Sequence, residues 1–431
     1  MVRNKMSKAN FIIKKLRHIL VRHGFSLFSS IPYRLYIKIR LGFNSLLYPF
    51  FMDKKIITDI FSQEYDFIDF SCGKIQWEGA LLQRYRQIAT NFSHMNGLVI
   101  AGSLPQVDKI DYVIKKSQNL YVINPFVKSL VADIENILSA QKKPVLVRVQ
   151  STDFSVTYEQ ILHWQKLGFV ILYEYIDPFH EEISGPIPVT VMERHLKIIQ
   201  NESVYICASA KALLHEIPAG RERTFLSPNA SDPRHWQIHT LKQTGGGQYR
   251  KVKAIKSLGK PILAYHGAMA SWLDYELLTK IASDGRYSLL LIGVEYDNSL
   301  RQSGLLGLSN VYYIGPVDYN ELPFVATLYD VSLIPFKRNE LSDGVSPIKL
   351  FEYMSIGKPI VVTTNKEIKQ YKSCLHALDS NDFISQINIA LSLKEDEKYI
   401  SVLMEEAKAN SWEKRCRDIL SCCMITAHKS N

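Results

Sequence analysis

Residues 343–362 read DGVSPIKLFEYMSIGKPIVV, and this stretch decides how the chain around it folds. It follows an apolar strand that ends at Pro335, and its own apolar end, residues 359–363, has the length of a buried strand. Between these strands, Ser346 suits a helix N-cap, and Pro347 suits the first helical position, where its missing N–H costs nothing. The stretch therefore predicts a helix whose start lies beyond the ends of two strands.

A helix that begins there directs free backbone N–H groups and a partial positive charge into the space beyond the strands, which suits a diphosphate. Lys349 lies in the first turn, where the helix dipole disfavours a cation unless an anion compensates it. Glu352 can accept hydrogen bonds from the hydroxyls of a ribose, as acidic residues do in dinucleotide-binding folds. An amphipathic helix with a well-made cap and solvated charges is the alternative that needs no ligand.

Short apolar runs alternate with amphipathic segments along the chain from about residue 56. The predicted strands are 66–70, 97–101, 120–124, 144–149, 170–175, 204–208, 261–265, 288–293, 311–314, 331–335 and 359–363. The predicted helices are 79–94, 157–167, 189–200, 209–217, 275–283, 321–329 and 347–356. This alternation predicts an α/β fold of two Rossmann-like domains, each a mostly parallel sheet with helices on both faces.

The boundary between the two domains is predicted at Thr244-Gly-Gly-Gly247, which a basic stretch to Lys260 continues. We interpret this break as an interdomain linker or a mobile loop beside it. The predicted segments are an arm over residues 1–55, a first domain over 56–250, a second over 251–409 and a terminal segment over 410–431. Because ligands of open parallel sheets bind beyond the carboxyl ends of the strands, two facing sheets predict a cleft.

The net charge of +10 belongs to the first 50 residues, which contain ten Lys or Arg and no Asp or Glu. The remaining chain is balanced, which argues against a nucleic-acid groove on the globular part. Because Ile12, Leu16 and Leu20 share one helical face opposite basic residues, the arm predicts binding to an anionic membrane surface. No apolar run reaches the about 18–20 residues that span a bilayer, and no signal peptide is recognisable. We therefore expect a cytoplasmic protein, peripheral on the inner face of the cytoplasmic membrane.

The pattern Ser-Pro-x-Lys-x-x-Glu-Tyr-Met-x-x-Gly-Lys-Pro-Ile-Val over residues 346–361 resembles the donor-site motif of GT-B glycosyltransferases of the group-one, family-four kind. The nearest match is the subgroup that makes teichuronic-acid-type and other surface polysaccharides. Further stretches resemble the same subgroup: YHGAMASWLD at 265–274, LLIG at 290–293, NVYYIGP at 310–316, YNELP at 319–323, SPN at 227–229 and NSWEKR at 410–415.

This resemblance implies a two-domain GT-B glycosyltransferase of hexosyltransferase type, which moves a sugar from a nucleotide-sugar donor to a glycan or lipid-linked acceptor. The implied product is a surface polysaccharide such as a capsule, O-antigen or exopolysaccharide. The first domain would bind the acceptor, the second would bind the donor, and the helix from residue 410 would cross back to the first. The donor-site residues that it implies are Gly267, Ser346, Pro347, Lys349 and Glu352.

The sequence departs from the family pattern at two places. The family usually carries two glutamates separated by seven residues, and Gly344 stands where the first would lie if Glu352 is the second. Two nearby carboxylates are out of register with that place, Asp343 and Glu340. The basic pair that clamps the diphosphate is not obvious either, and its candidates follow a strand end, Lys337 and Arg338. The stereochemical outcome stays open.

The first domain must supply the acceptor site and any general base. Asp177, at the end of a predicted strand, is the candidate base, because partial burial would raise the pKa of its carboxyl. Asp before Pro is also a common turn-former. His180 is the second catalytic candidate. A Trp…Gln-Arg stretch that resembles the family's supplies the candidate acceptor contacts, Trp77, Gln83 and Arg84.

We expect neither a metal nor a cofactor. The six cysteines form no C-x-x-C pair and no regular spacing, so neither a zinc site nor a disulfide framework is indicated. No Asp-x-Asp stands in a loop, and a helix start with basic side chains can neutralise a leaving diphosphate without Mg²⁺. His266 is expected to be a satisfied loop histidine.

Two other functions are compatible with the same scaffold. A nucleotide-sugar epimerase would share the donor site but would need neither the arm nor an acceptor cleft. A non-catalytic partner subunit would explain the missing first glutamate. Nucleic-acid binding is disfavoured by the balanced charge of the body.

Overall fold

Two β-sheets form the framework of the structure, a computed structural model that describes residues 44, 48, 54–78, 83–181, 186–237 and 246–425. The first sheet has the strand order β3-β4-β2-β1-β5-β6-β7-β8, and the second has the order β11-β10-β9-β12-β13-β14. The strands of the first sheet are β1 (Phe67–Ser71), β2 (Gly97–Gly102), β3 (Val113–Ser117), β4 (Leu120–Ile123), β5 (Val145–Gln150), β6 (Val170–Tyr175), β7 (Tyr205–Ala208) and β8 (Thr224–Leu226). Those of the second sheet are β9 (Ile262–His266), β10 (Ser288–Ile292), β11 (Val311–Tyr313), β12 (Val331–Ile334), β13 (Ile360–Thr363) and β14 (Leu375–Ala377). Among the strands so described, every pairing is parallel except that of β3 with β4.

Helices alternate with the strands and cover both faces of each sheet. They are α1 (Lys54–Ile60), α2 (Arg84–His94), α3 (Pro105–Asp108), α4 (Lys128–Ser139), α5 (Tyr158–Lys166), α6 (Val189–Gln200), α7 (Lys211–His215), α8 (Gly247–Lys256), α9 (Tyr275–Ser283), α10 (Ser299–Gln302), α11 (Leu322–Ala326), α12 (Glu340–Asp343), α13 (Ile348–Ile356), α14 (Ser380–Leu393), α15 (Glu397–Ala409) and α16 (Trp412–Cys422). Short 3₁₀ helices occupy Pro233–Trp236, Leu305–Gly307 and Ile368–Gln370.

Each sheet is packed on both faces because successive side chains of a strand point to opposite sides. On β1, Phe67 joins one core cluster, whereas Ile68 and Phe70 join the other. On β9, Ile262 and Leu263 are divided in the same way between two clusters of the second sheet. Burial on both faces explains why these strands are mostly apolar. The prediction of an α/β fold with two Rossmann-like parallel sheets is confirmed.

Three short strands, β3, β8 and β14, were not predicted from the sequence. Each lies at the edge of its sheet and is at most partly buried, so none forms a continuous apolar run. The expectation of a linker or mobile loop over residues 247–256 was wrong, because these residues form α8. Val252 and Ile255 of this helix are buried in a core cluster of the second sheet. Residues 238–245, which include part of the predicted linker, lie outside the described residues.

Most of the predicted basic arm, including its amphipathic Ile12–Leu20 face, lies outside the described residues. At its end, Tyr48 is buried, and its hydroxyl donates a hydrogen bond of 2.9 Å to Oδ2 of Asp133 on α4. The Tyr48 ring also contacts the Tyr112 ring at a centroid distance of 5.7 Å. This part of the segment therefore packs against the first sheet's helices. No helix within the described ranges has the length and apolarity needed to cross a membrane.

A chain of buried ion pairs runs through the middle of the first sheet. Arg148 on β5 donates two hydrogen bonds to Asp69 on β1, at 2.7 and 2.8 Å, and a third to Glu174 on β6 at 3.2 Å. Arg84, at the start of α2, donates to the other oxygen of Glu174 at 2.9 Å. Burial opposes the charge on Glu174, but Arg84 and Arg148 together lower the pKa of its carboxyl. The network therefore holds three neighbouring strands and one helix in a fixed register.

The chain passes between the two sheets at two places, after β8 and before α16, and these crossings are hydrogen-bonded to each other. Ser231 and Ser411 form a parallel bridge. In this bridge the backbone N of Ser231 donates to Asn410 O at 3.3 Å, and the backbone N of Trp412 donates to Ser231 O at 2.9 Å. Helix α16 then packs on α2, with Trp412 and Cys416 buried in a core cluster of the first sheet.

Replacing Arg148 by Met should lower the free energy of unfolding by about 3–5 kcal/mol, because it leaves the buried carboxylate of Asp69 without its cation and that of Glu174 with Arg84 alone. Urea denaturation followed by intrinsic fluorescence measures this loss. Arg286→Met is the matched control, since Arg286 pairs with Asp284 at the exposed surface, and it should leave the transition unchanged. Equal stability of the Arg148 variant and the wild type would contradict a structural role for the network.

Candidate functional site

A cleft of about 410 Å³ lies between the two sheets, beyond the carboxyl ends of their strands. Both domains line it, which is the arrangement that the sequence predicts for ligand binding in facing parallel sheets. The structure brings eight of the twelve predicted site residues to this cleft: Gln83, Arg84, Asp177, Gly267, Ser346, Pro347, Lys349 and Glu352.

Two glycines shape the floor of the cleft where β9 and β10 end. Gly267 has φ +144° and Gly293 has φ +136°, a region that side chains rarely allow. Their backbones approach so closely that a Cβ on Gly293 would lie 1.9 Å from the carbonyl oxygen of Gly267. A Cβ on Gly267 would meet Lys349 Cε at 2.6 Å. Any side chain at either position would therefore displace the backbone or the lysine.

Helix α13 begins in the cleft wall without a side-chain cap. Its N-cap is Pro347, whose ψ of 124° is extended, so the prediction of Ser346 as N-cap with Pro347 as first helical residue was wrong by one position. Ser346 instead contacts the other domain, accepting hydrogen bonds from Asn229 N at its Oγ (3.3 Å) and from Asn229 Nδ2 at its carbonyl (2.6 Å). The partial positive charge of the helix start therefore faces the cleft uncompensated by a side chain.

Lys349, the second residue of α13, is a half-buried cation at this helix start. Its Nζ lies over the rings of Tyr265 (5.4 Å) and Phe336 (5.2 Å), and among the described residues it has neither a hydrogen-bond acceptor nor an ion-pair partner. Burial lowers the pKa of its ammonium group to about 8, although the nearby charge of Glu352 acts in the opposite direction. A cation so placed, beside an uncapped helix start, is suited to binding an anion.

Glu352 is held by His266 at the end of β9. The two side chains meet at 2.9 Å between His266 Nε2 and Glu352 Oε2, and the carboxylate is only 7% exposed. The imidazole itself packs between a parallel Trp236 ring (centroid distance 5.9 Å) and the Tyr353 ring (4.5 Å, edge-on), while the backbone N of His266 donates to the Tyr353 hydroxyl at 2.8 Å. Because His266 is itself held in place, Glu352 is a preoriented carboxylate, with its orientation set before a ligand binds. Burial and the charge of Glu352 also raise the pKa of the neighbouring Tyr319 well above its usual value.

The pairing of His266 with Glu352 was missed from the sequence. The prediction that His266 is satisfied holds for its Nε2, but Nδ1 is buried with no partner among the described residues. The available signal was positional, because a residue at the end of a central strand and a residue in the first turns of a following helix border the same cleft.

Asp177 lines the opposite wall of the cleft, two residues beyond the end of β6. Burial raises the pKa of its carboxyl to about 7, against the influence of the Arg84 charge. Asp177 and Glu352 are the two carboxylates that line the cleft within the described part of the chain. A carboxylate with this pKa can exchange a proton with a bound hydroxyl near neutral pH.

The position of the family's first glutamate is closed in this structure. A Cβ on Gly344 would lie 2.8 Å from Cγ of Pro178 in the first domain. Asp343 is turned away, its Oδ1 accepting from the backbone N of Lys366 at 2.9 Å, and Glu340 does not line the cleft. The first carboxylate that the family resemblance implies therefore has no equivalent among the described residues of this cleft.

Four predicted residues lie elsewhere. Trp77 is buried against Tyr85 in a core cluster, so its predicted contact with an acceptor has no geometric support. His180 lines a neighbouring cavity rather than the cleft. After β12, Lys337 is exposed, and Arg338 donates to the carbonyl of Leu378 at 2.5 Å, so the structure does not bring the proposed diphosphate clamp to the cleft.

Arg84 borders the cleft, but its donors are engaged within the protein. Besides Glu174, its guanidinium donates to the carbonyl and hydroxyl of Ser227 at 2.9 and 3.0 Å. It therefore positions the loop after β8 instead of offering hydrogen bonds to a ligand. No group of three or more His, Cys, Asp or Glu within the described ranges is arranged to hold a metal ion.

Comparison with known proteins identifies the fold and the second domain. Residues 260–392 match the family described as "Glycosyl transferases group 1". Sucrose-phosphate synthase from Thermosynechococcus elongatus superposes with a TM-score of 0.60 at 15% identity, covering 83% of this chain and 98% of that one. The lipopolysaccharide glycosyltransferase WaaG gives 0.56 at 12% identity, covering 84% and 100%. The chain thus has the GT-B fold and contains a group 1 glycosyltransferase domain, as the resemblance implied.

One curated relative is a surface-polysaccharide protein of Bacillus subtilis (strain 168), named "Putative teichuronic acid biosynthesis glycosyltransferase TuaH". It is 26% identical over 257 residues, which are 55% of this chain and 61% of the relative. The match therefore spans less than two thirds of the relative's length. Anabaena Alr3699/HepE, solved in complex with UDP and glucose, gives a TM-score of 0.56 at 14% identity, covering 83% of this chain and 99% of that one.

Inorganic pyrophosphate should bind wild type about ten- to one-hundredfold more tightly than the Lys349→Met variant at pH 7, the effect of one charge-assisted hydrogen bond. Because the ammonium group loses its proton as pH rises through its pKa of about 8, this advantage should shrink above that pH. Calorimetry from pH 6.5 to 9.5 measures the affinity of both proteins. Because the ionisation of free pyrophosphate affects both proteins equally, it cancels from the ratio of their affinities at each pH. The control variant Lys253→Met, at the exposed surface of α8, should bind pyrophosphate as tightly as wild type. A difference in affinity between wild type and Lys349→Met that does not change with pH would refute the role of Lys349 as the anion-binding cation.

Proposed function

We propose that this chain transfers a hexose from a nucleotide-sugar donor to a glycan or lipid-linked acceptor during synthesis of a bacterial surface polysaccharide. The observation that carries the proposal is one cleft wall in which an uncapped helix start, a half-buried cation and a preoriented carboxylate meet, inside the domain that matches group 1 glycosyltransferases. The relative from teichuronic acid biosynthesis and the structural likeness to WaaG support the product class.

On the donor side, the proposed roles follow from charge. The start of α13 and Lys349 bind the diphosphate, and the missing side chain of Gly267 leaves the lysine its place against the backbone. Glu352 accepts hydrogen bonds from the ribose hydroxyls, while His266 keeps its carboxylate in place. Support for a nucleotide ligand comes from the structural likeness to HepE, which was solved in complex with UDP and glucose.

On the acceptor side, Asp177 is the proposed general base. It removes the proton of the acceptor hydroxyl as that oxygen bonds to the anomeric carbon and the bond from this carbon to the nucleoside diphosphate breaks. The charge released on the leaving diphosphate falls on the helix start and Lys349, so we propose that transfer needs no divalent metal. Activity that persists in EDTA supports this part of the proposal, and activity restored only by Mg²⁺ refutes it.

A panel of nucleotide sugars tests the function directly. The correct donor should raise the melting temperature, since a ligand that binds only the folded state stabilises it, and should be consumed with transfer when an acceptor is added. Conversion of the donor to an isomeric nucleotide sugar without acceptor would establish an epimerase instead. Binding of no nucleotide sugar, or binding without either hydrolysis or transfer, would indicate the partner subunit.

The Asp177→Asn variant should lose turnover by about 10²–10⁴-fold while its donor affinity is preserved, as expected for a base used only in transfer. Because the base must be ionised, wild-type turnover should rise with pH through about 7, and this limb should be absent from the variant. Steady-state kinetics with donor calorimetry measure both. The control variant Asp284→Asn, at the surface, should turn over as fast as wild type. Full turnover by Asp177→Asn would show that Asp177 only forms a turn and is not the base.

We also propose that residues 1–50 hold the protein on an anionic membrane surface, near a lipid-linked acceptor. Their ten bases and absence of acids support this, since each base near the surface contributes about 1 kcal/mol. A variant that begins at residue 44, which keeps the packed Tyr48, should no longer float with anionic liposomes but should still glycosylate a water-soluble acceptor. Flotation of this variant equal to that of the intact chain would show that the arm is not the anchor.

A further inference from the structure

A second cavity of about 730 Å³ lies beside the cleft, beyond Pro178, and has no role in the functions described so far. We call it the side groove. One wall consists of Phe179 and the outer face of α6, and the other is the segment 339–341 of the second domain. Asn339 and Leu341 line both the cleft and the side groove, so the two cavities adjoin, and Pro178 of the side groove directly follows Asp177 of the cleft.

The wall formed by α6 is apolar and accessible. Met192 is 36% exposed and Leu196 is 51% exposed, although both are large aliphatic side chains. Next to them, the Phe179 ring stacks on Tyr175 at a centroid distance of 5.6 Å and meets the His195 ring edge-on at 4.9 Å. The aromatic ring is thus fixed before any ligand arrives, so binding against it loses little side-chain entropy.

The charged groups of the side groove are acidic. Glu216 from the first domain and Glu340 from the second line it, and no Lys or Arg does so within the described part of the chain. Burial, together with the charge of Arg194, lowers the pKa of His195 to about 4, so this imidazole is neutral at physiological pH. Two carboxylates repel a phosphate or uronic acid, but they accept hydrogen bonds from hydroxyl groups.

We propose that the side groove binds uncharged sugar units of the acceptor, those that adjoin the sugar whose hydroxyl reaches Asp177. An apolar wall with a fixed aromatic ring matches the C–H face of a pyranose, and the carboxylates match its hydroxyls. This inference rests on the proposed function and adds the acceptor's class, an oligosaccharide with at least two uncharged sugars. A lipid tail would contact the apolar wall but neither carboxylate, so it would match only part of the lining.

Binding of free oligosaccharides tests the inference without requiring transfer. A glycan array of uncharged oligosaccharides, and of matched oligosaccharides that contain uronic acids, is probed with three proteins: wild type, Leu196→Trp, which fills the groove, and Leu258→Trp. Leu258 is the matched control, because it is 58% exposed on the second domain and away from both cavities. Nucleotide binding by thermal shift is measured in parallel on all three proteins.

We expect uncharged oligosaccharides to bind wild type and Leu258→Trp, and to bind Leu196→Trp about tenfold more weakly, with nucleotide binding equal in all three. Stronger binding of the acidic oligosaccharides, equal binding by Leu196→Trp, or absence of oligosaccharide binding would overturn the inference. Competition by decyl maltoside but not by maltose would assign the groove to a lipid tail and also overturn it. Absence of nucleotide binding by the wild-type protein would instead refute the proposed function. Failure of the acceptor inference and failure of the proposed function therefore give different results.

Discussion

The guanidinium of Arg84 joins the buried charges of the first sheet to the start of α13, and the geometry of the cleft depends on this connection. On one side it binds Glu174, which Arg148 connects to Asp69. On the other side it reaches the loop after β8, where its Nη1 lies 3.4 Å from Oδ1 of Asn229. Asn229 in turn donates two hydrogen bonds to Ser346, directly before α13. One continuous set of polar contacts therefore sets the end of β6 opposite the start of α13.

Burying such a network of charges costs free energy, and what it provides in return is a fixed orientation of strand ends and loops. Buried charges lose hydration, and replacing a complete buried ion-pair network with apolar side chains of similar volume is often neutral or stabilising. Apolar contacts have little direction, however, whereas the planar fork of an arginine fixes which strand end faces which loop. Asp177 follows Glu174 by three residues on the same strand end, and the charge of Arg84 limits the rise in its pKa. The residue that aligns the wall thus also helps to set the protonation of the candidate base.

The local part of this structure was predictable from the sequence, and the long-range part was not. All eleven predicted strands are present, because each contains a largely apolar run, including the partly buried edge strand β11, whereas the edge strands β3, β8 and β14 lack such a run. Helix α13 was predictable because Pro347 and Gly357 delimit it locally, with an error of one residue at its start. The contact of Gly344 with Pro178 and the pairing of Glu352 with His266 join residues far apart in sequence. The periodicity of apolar residues carries no information about such long-range contacts, and a single sequence offers no other source of that information.

The pairing of Glu352 with His266 also explains why Lys349 has no ion-pair partner among the described residues. Lys349 and Glu352 are three residues apart on one helix, a spacing at which opposite charges ordinarily approach each other. Here no ion pair joins them, because His266 holds the carboxylate while the rings of Tyr265 and Phe336 hold the ammonium group. Were the two charges to pair, the helix start would present a neutralised dipole, and neither residue would be available to a ligand. Instead each keeps its own charge in a different part of the cleft, the cation beside the helix start and the carboxylate one turn further along. In the proposed function this separation gives the phosphates and the hydroxyls of the donor different positions, at the spacing that α-helical geometry imposes.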